Sequence, residues 1–243
     1  MKKILSLALL LVMLFSLVAC TTPAPIPSNQ ELWEKAQSAL SVKDANNMQF
    51  SANADLKMGE ESVDTSTTVQ VKDEKFYMNI VSFEEEINVW YADGYAYMSA
   101  EYMGEIIKQK MPASLDEIMS IFSVDFTAEI INIVPSEKEL QDATVEKTLG
   151  RTIITITLNA ENHEELSYVV GDEDITSATM ILAYNPRYEL ITYELLLDFT
   201  TDDGYSEEPI SASYYMLYDV TYLNQPQDVK LPDDLDTYLE EEY

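Results

Sequence analysis

From Met48 onward the apolar positions recur with a period of two, which predicts strands, and helical spacing is confined to a few short stretches. Met48–Met58 and Val63–Val71 alternate and are rich in Ser and Thr, while Lys75–Phe83 places Phe76, Met78 and Ile80 on one face. Polar Lys72-Asp73-Glu74-Lys75 supplies the turn between the last two. The sharpest local signal is Asp93-Gly94 between two β-rich arms, because a two-residue type I′ loop needs positive φ at both central positions. It pairs Ala92 with Tyr95, Trp90 with Tyr97 and Val89 with Met98. One face then carries Ile87, Val89, Tyr91, Ala96, Met98 and Ala100; the other carries Asn88, Trp90, Ala92, Tyr95, Tyr97 and Ser99. Neither face is charged, so the hairpin is expected to have cover, or a ligand cavity, on both sides.

Three stretches read as helical. Ser28-Asn29-Gln30-Glu31 has the form of a capping box, and Leu32, Trp33, Ala36, Ala39 and Leu40 follow at helical intervals, predicting a helix over about residues 29–41 with Trp33 as a core anchor. Ser114-Leu115-Asp116-Glu117 is a second box ahead of Ile118, Met119 and Phe122. Asn162-His163-Glu164-Glu165 caps a third, expected to end near Gly171. Val124–Asp142 shows no single period. Further strands are predicted at Arg151–Leu158, Thr179–Tyr184, Tyr188–Phe199 (Ile191, Tyr193, Leu195, Leu197 and Phe199 facing one way) and Ile210–Leu223 (Ile210, Ala212, Tyr214, Met216, Tyr218, Val220 and Tyr222 together). About ten strands without a βαβ rhythm imply one antiparallel sheet, and a sheet that large must curl.

Ahead of this pattern stand Lys2, Lys3 and an uncharged apolar run, Ile4–Val18, shorter than the ~20 residues of a membrane-spanning helix. It ends in Leu17-Val18-Ala19-Cys20, which resembles the lipobox of bacterial lipoproteins. That resemblance implies a signal peptide over residues 1–19, cleavage before Cys20 and lipidation of its thiol. Thr21–Pro27 contains three prolines and reads as an extended tether, leaving residues 28–243 as a single domain. The expected location is the extracytoplasmic face of a cell membrane, reached through the lipid anchor, whether on a Gram-positive surface or a periplasmic leaflet.

Composition narrows the chemistry. With 44 Asp and Glu against 14 Lys and Arg the formal charge is −30, and loss of Lys2 and Lys3 with the leader would make it −32. Scattered cations do not neutralise phosphates, so nucleic acid is not an expected partner. A hydrophobic fraction of 47% still allows a real core. One Cys and one His exclude disulfides within the domain and a Cys/His zinc site. His163 reads as an exposed helix-cap residue rather than a catalytic base, no Gly-x-Ser-x-Gly elbow or phosphate-binding Gly-rich loop is present, and the carboxylates are too many to single out a pair. The acidic runs Glu84-Glu85-Glu86, Asp172-Glu173-Asp174 and Asp202-Asp203-Gly204 lack EF-hand spacing and read as solvated loops. No enzyme activity, metal or cofactor is expected.

The lipobox and tether, the capped helix from Ser28, the strands Lys75-Phe76-Tyr77-Met78 and Val89–Met98, and the ending Asp219-Val220-Thr221-Tyr222-Leu223 to Val229-Lys230-Leu231-Pro232 together resemble the LolA/LolB/LppX-like superfamily of bacterial lipoproteins and lipoprotein carriers. The resemblance implies an α+β, mainly antiparallel fold: a strongly curved, unclosed β-barrel, or half-barrel, with a few helices on its concave side. Relatives of known role carry lipids or acylated proteins. No ligand-contact residue of that superfamily transfers, so the cavity wall is read from strand facing alone, as Met78, Ile80, Val89, Tyr91, Met98 and Met216. The expectation is a monomeric lipoprotein that holds an apolar or amphipathic, lipid-like ligand. The alternative is a cell-envelope structural or protein-interaction domain whose concave face is filled by its own helices.

Overall fold

The computed structural model describes residues 27–41, 43–44, 46–83, 85–102, 104–121, 133–148, 150–171, 173–202 and 209–240. The leader, Cys20, the tether before Pro27, Glu84, Asp172, Asp203 and Gly204 lie outside the described residues.

Among the described residues twelve strands form one sheet. The first six run as a meander: β1 (Met48–Met58), β2 (Glu61–Lys72), β3 (Lys75–Ser82), β4 (Glu85–Ala92), β5 (Tyr95–Tyr102) and β6 (Glu105–Pro112). A second meander holds β7 (Thr144–Thr148), β8 (Arg151–Leu158), β9 (Asp174–Tyr184), β10 (Leu190–Thr201) and β11 (Ile210–Asp219). The two join where β1 pairs antiparallel with β11, Ser51 opposite Asp219 and Met58 opposite Ala212. A two-residue β12 (Leu239–Glu240) lies parallel to β6, the one parallel pair among the described strands. The sheet order ends on β12 at one side and β7 at the other, so the sheet is not closed into a barrel. Mostly antiparallel β with few helices is therefore the observed class. Strands β6 and β7 fall in segments that the alternation did not mark, and β9 starts at Asp174 rather than Thr179.

Local chemistry explains the clearest elements. Helix α1 (Asn29–Leu40) starts on the expected box: Glu31 N–H donates to Ser28 Oγ at 3.2 Å and Ser28 N–H to Glu31 Oε2 at 2.7 Å, with Leu32, Trp33, Ala36 and Leu40 buried. The Ser114–Glu117 box opens α2 (Leu115–Ile121) in the same way. Asp93 and Gly94 have φ of 53° and 83°, as a type I′ loop demands, and the β4–β5 register is the expected one. The β2–β3 turn uses the same left-handed region at Asp73 and Glu74 (φ 51° and 60°) without a glycine.

One face of the sheet carries apolar rows on both sides of the β1–β11 seam. On one side Phe50 faces Val69, Val69 faces Met78, Met78 faces Val89 and Val89 faces Met98. On the other side of the β1–β11 seam, where Ala54 faces Met216, a second row runs through Met216, Leu195, Met180 and Ile156. Helix α1 and a third helix, α3 (Glu137–Asp142), pack on this face against β10 and β8 and against each other. Two strand readings need correction. A bulge between Leu190 and Thr192 turns Leu190, not Ile191, into the core. Strand β11 stops at Asp219, after which a turn leaves Tyr222 exposed and buries Leu223. The helix expected to run to Gly171 is instead two 3₁₀ turns, Ala160–Asn162 and Glu164–Leu166, followed by the short α4 (Ser167–Val170).

Candidate functional site

Strand facing brings five of the six candidate wall residues together. Met78 and Ile80 on β3, Val89 and Tyr91 on β4, and Met98 on β5 occupy neighbouring positions of the apolar face. Met216 is separated from them by β1 and β2. Their burial divides the set. Met78, Val89 and Met216 are 3%, 2% and 1% exposed, so the protein already packs them on every side. Ile80, Tyr91 and Met98 are half-buried and only border the core, as are Ile87 and Met111. Ile107, on the same face of β6 opposite Ala100, is 44% exposed. The apolar face is thus sealed over β8–β11 and opens toward β3–β6.

Two open cavities flank it. One, of about 460 Å³, lies between the β2–β3 turn (Asp73, Glu74), Asn46, and the start of α2 (Leu115, Asp116), and Tyr91 is the one candidate wall residue that reaches it. The other, of about 400 Å³, sits where α1 and α3 begin, lined by Ser28, Asn29, Glu137 and Leu140. Both have polar rims. No cluster of three or more His, Cys, Asp or Glu side chains is placed to hold a metal among the described residues.

A buried polar cluster lies beside the second cavity. Helix α3 begins on a third capping box: Ser136 N–H donates to Glu139 Oε2 at 2.6 Å and Glu139 N–H to Ser136 Oγ at 3.3 Å. The other carboxylate oxygen accepts from Asn159 N–H at 2.7 Å and lies 3.0 Å from His163 Nε2. His163 is 5% exposed, contrary to the expected surface position, and it ties the 3₁₀ turns to α3. Burial pushes the Glu139 carboxyl up, and the donors from Asn159, Ser136 and His163 together outweigh it, holding the carboxyl down at about 2. The motif Ser136-Glu137-Lys138-Glu139 was readable as an N-terminal signal; the partnership with His163 was not, since nothing local links them.

On the opposite, outer face the uncharged hairpin has the cover its composition called for. Tyr77 stacks on Trp90 with ring centres 5.5 Å apart, and Tyr238 stands edge-on to Trp90 and Tyr97 at 6.4 and 5.7 Å. Tyr238 belongs to a C-terminal strap that crosses the outer face. Gln227 N–H donates to Gln49 Oε1 at 2.8 Å, and Lys72 pairs with Asp228, Lys108 with Asp234, and Lys110 with Glu240 at 3.1 Å. Its hydrogen bond to Lys108 holds the Asp234 carboxyl below the usual carboxylate range, and the same bond holds the Lys108 ammonium above its own.

No protein-family model matches the chain, and no curated protein matches it. Among solved structures, a DUF1329 family protein from Desulfovibrio piger is similar at 12% identity, over 86% of this chain and 96% of that one, with a TM-score of 0.22. So loose a likeness makes it a distant structural neighbour and no more.

Proposed function

We propose that this protein is a non-enzymatic, lipid-anchored extracytoplasmic protein, related to the LolA/LolB/LppX-like half-barrels, that holds an apolar or amphipathic ligand against the β3–β6 half of its apolar face. The observation that carries the reading is the burial gradient along that face: packed under α1 and α3 over β8 and β10, and half-open at Ile80, Ile87, Met98 and Ile107. A ligand covering ~200 Å² of apolar surface there gains ~5 kcal/mol at ~25 cal/mol per Å². Ile80, Tyr91 and Met98 are the side chains that would meet it. Attachment would rest on acylated Cys20 at the end of the Pro-rich tether, as the lipobox-like Leu17-Val18-Ala19-Cys20 implies.

The second reading, an envelope domain with a self-filled face and a protein partner, is favoured by Met78, Val89 and Met216, which leave no room for anything but the chain itself. Mass spectrometry of solvent extracts from the chain beginning at Thr21, together with uptake of cis-parinaric acid, separates the two. The ligand reading expects a stoichiometric lipid that Ile80→Glu and Met98→Glu remove while circular dichroism is unchanged. No bound species and no uptake would overturn it and leave the protein-interaction reading.

A further inference from the structure

The strap on the outer face is small for what lies beneath it. Its last part joins the sheet through two ladder residues, Leu239 and Glu240, whereas β1 and β2 pair over eleven. Its ion pairs, Lys108–Asp234 and Lys110–Glu240, join partly exposed side chains and hold only weakly. Within Asp234–Glu240 the buried anchor is Tyr238, set against Trp90 and Tyr97 with the Lys108 ammonium 5.5 Å from its ring centre. The occupied surface is unlike the rest of the chain: two lysines beside four aromatic rings (Tyr77, Trp90, Tyr95 and Tyr97) in a molecule of formal charge −30.

The β6 edge is also longer than its occupant. Leu239 lies opposite Gln109 and Glu240 opposite Lys110, but Leu235–Thr237 coil into a 3₁₀ turn instead of continuing the ladder. No described strand pairs with the outer side of Glu105–Lys108, where Ile106 is 65% exposed. An open edge carrying exposed isoleucines is a template for a further strand.

We propose that the outer face of β4–β6, with the β6 edge, is a docking groove for an extended acidic peptide of a partner protein, and that Asp234–Glu240 is its resident occupant in cis. The cis segment defines the ligand: a carboxylate for Lys108, an aromatic ring four residues later for the Trp90–Tyr97 corner, and a carboxylate two residues after that for Lys110. A partner peptide that stays extended ahead of the ring would instead pair along Glu105–Lys108 and cover Ile106, giving up the carboxylate that the strap brings to Lys108 through its turn. The strap holds the groove at a high effective concentration, so a partner must outbind it or the strap must first be displaced. A second copy of this chain is disfavoured as the partner by mutual repulsion of strongly acidic molecules. The proposal concerns the face opposite the ligand surface and stands or falls independently of it.

The test measures anisotropy of a labelled peptide with the sequence of residues 233–240 against the chain from Thr21, unmodified and as Tyr238→Ala. Removing the cis anchor should tighten binding at least tenfold. Higher salt, Tyr238→Ala in the peptide, or Asp234→Asn with Glu240→Gln in the peptide should each abolish it; the peptide changes cannot disturb the fold. Failure of Tyr238→Ala to bind while its circular dichroism is unchanged, equal binding by the charge-deleted peptide, or concentration-dependent dimers of the unmodified chain with exchanged tails would each overturn the proposal.

Discussion

Glu139→Gln keeps the shape of the side chain and removes its charge, at a carboxylate that three elements converge on. Its oxygens accept from Ser136 N–H and Asn159 N–H at 2.6 and 2.7 Å and face His163 Nε2 at 3.0 and 3.2 Å. A carboxyl held at about 2 in the folded chain against an ordinary value of 4.5 corresponds to ~3 kcal/mol of linked stability, reduced to ~2–3 kcal/mol by residual solvent screening. Because the folded value lies below the unfolded one, the contribution is complete above about pH 4.5 and is lost as pH falls toward 2. A glutamine amide also turns a donor toward a donor, leaving one buried N–H without an acceptor. Urea unfolding followed by circular dichroism should therefore show the variant ~2–3 kcal/mol less stable at pH 7, with more than half of that gap gone at pH 3. A gap below ~0.5 kcal/mol at pH 7, or an equal gap at both pH values, would refute this account of the cluster.

Glu74→Gly should stabilise the chain by ~1 kcal/mol by relieving a left-handed residue at φ 60°, whereas Gly94→Ala at φ 83° should cost about as much; urea midpoints of the two variants ought to move in opposite directions. Met216→Ala, in the sealed half of the face, should cost ~2–4 kcal/mol and Met98→Ala, in the open half, under ~1.5 kcal/mol; equal losses in thermal unfolding would contradict the burial gradient. Tyr184→Phe removes a 2.7 Å hydrogen bond to the Leu32 carbonyl, which ties α1 to the sheet, and should lower stability by ~1 kcal/mol without changing the spectrum.

What could be read in the sequence was local. The Asp93-Gly94 loop fixes its own register, so every pair from Ile87–Ala100 inward followed from two turn residues. Alternation likewise put Phe76, Met78 and Ile80 on the apolar face, and the Ser28 box placed α1 to within a residue. The misses are of two kinds. Some were local signals passed over, such as the Ser136–Glu139 box inside a stretch with no clear period. Others have no local signal at all. The Leu190–Thr192 bulge shifts the strand's facing by one without any glycine or proline, and His163 is buried because Glu139, 24 residues earlier, is folded over it. The strap falls between these. An uncharged outer face on the hairpin, two lysines in Glu105–Pro112 and an acidic, tyrosine-bearing terminus are complementary, but only the fold shows that they meet.

The joint between the two meanders sets an order on how the chain can assemble. Within each meander every strand pairs with its sequence neighbour, at low cost in loop closure. The β1–β11 seam instead joins Ser51 to Asp219, across most of the length of the domain. As a chain emerges from its N-terminus, β1 through β6 can pair while β1 itself waits with one edge bare until residues 210–219 arrive. The polar outward positions of β1, Ser51, Asn53, Asp55 and Lys57, then guard an edge that has no partner for most of synthesis. Pulse-labelled hydrogen exchange should find amides of the β1–β11 ladder protected last, and the β4–β5 hairpin among the first.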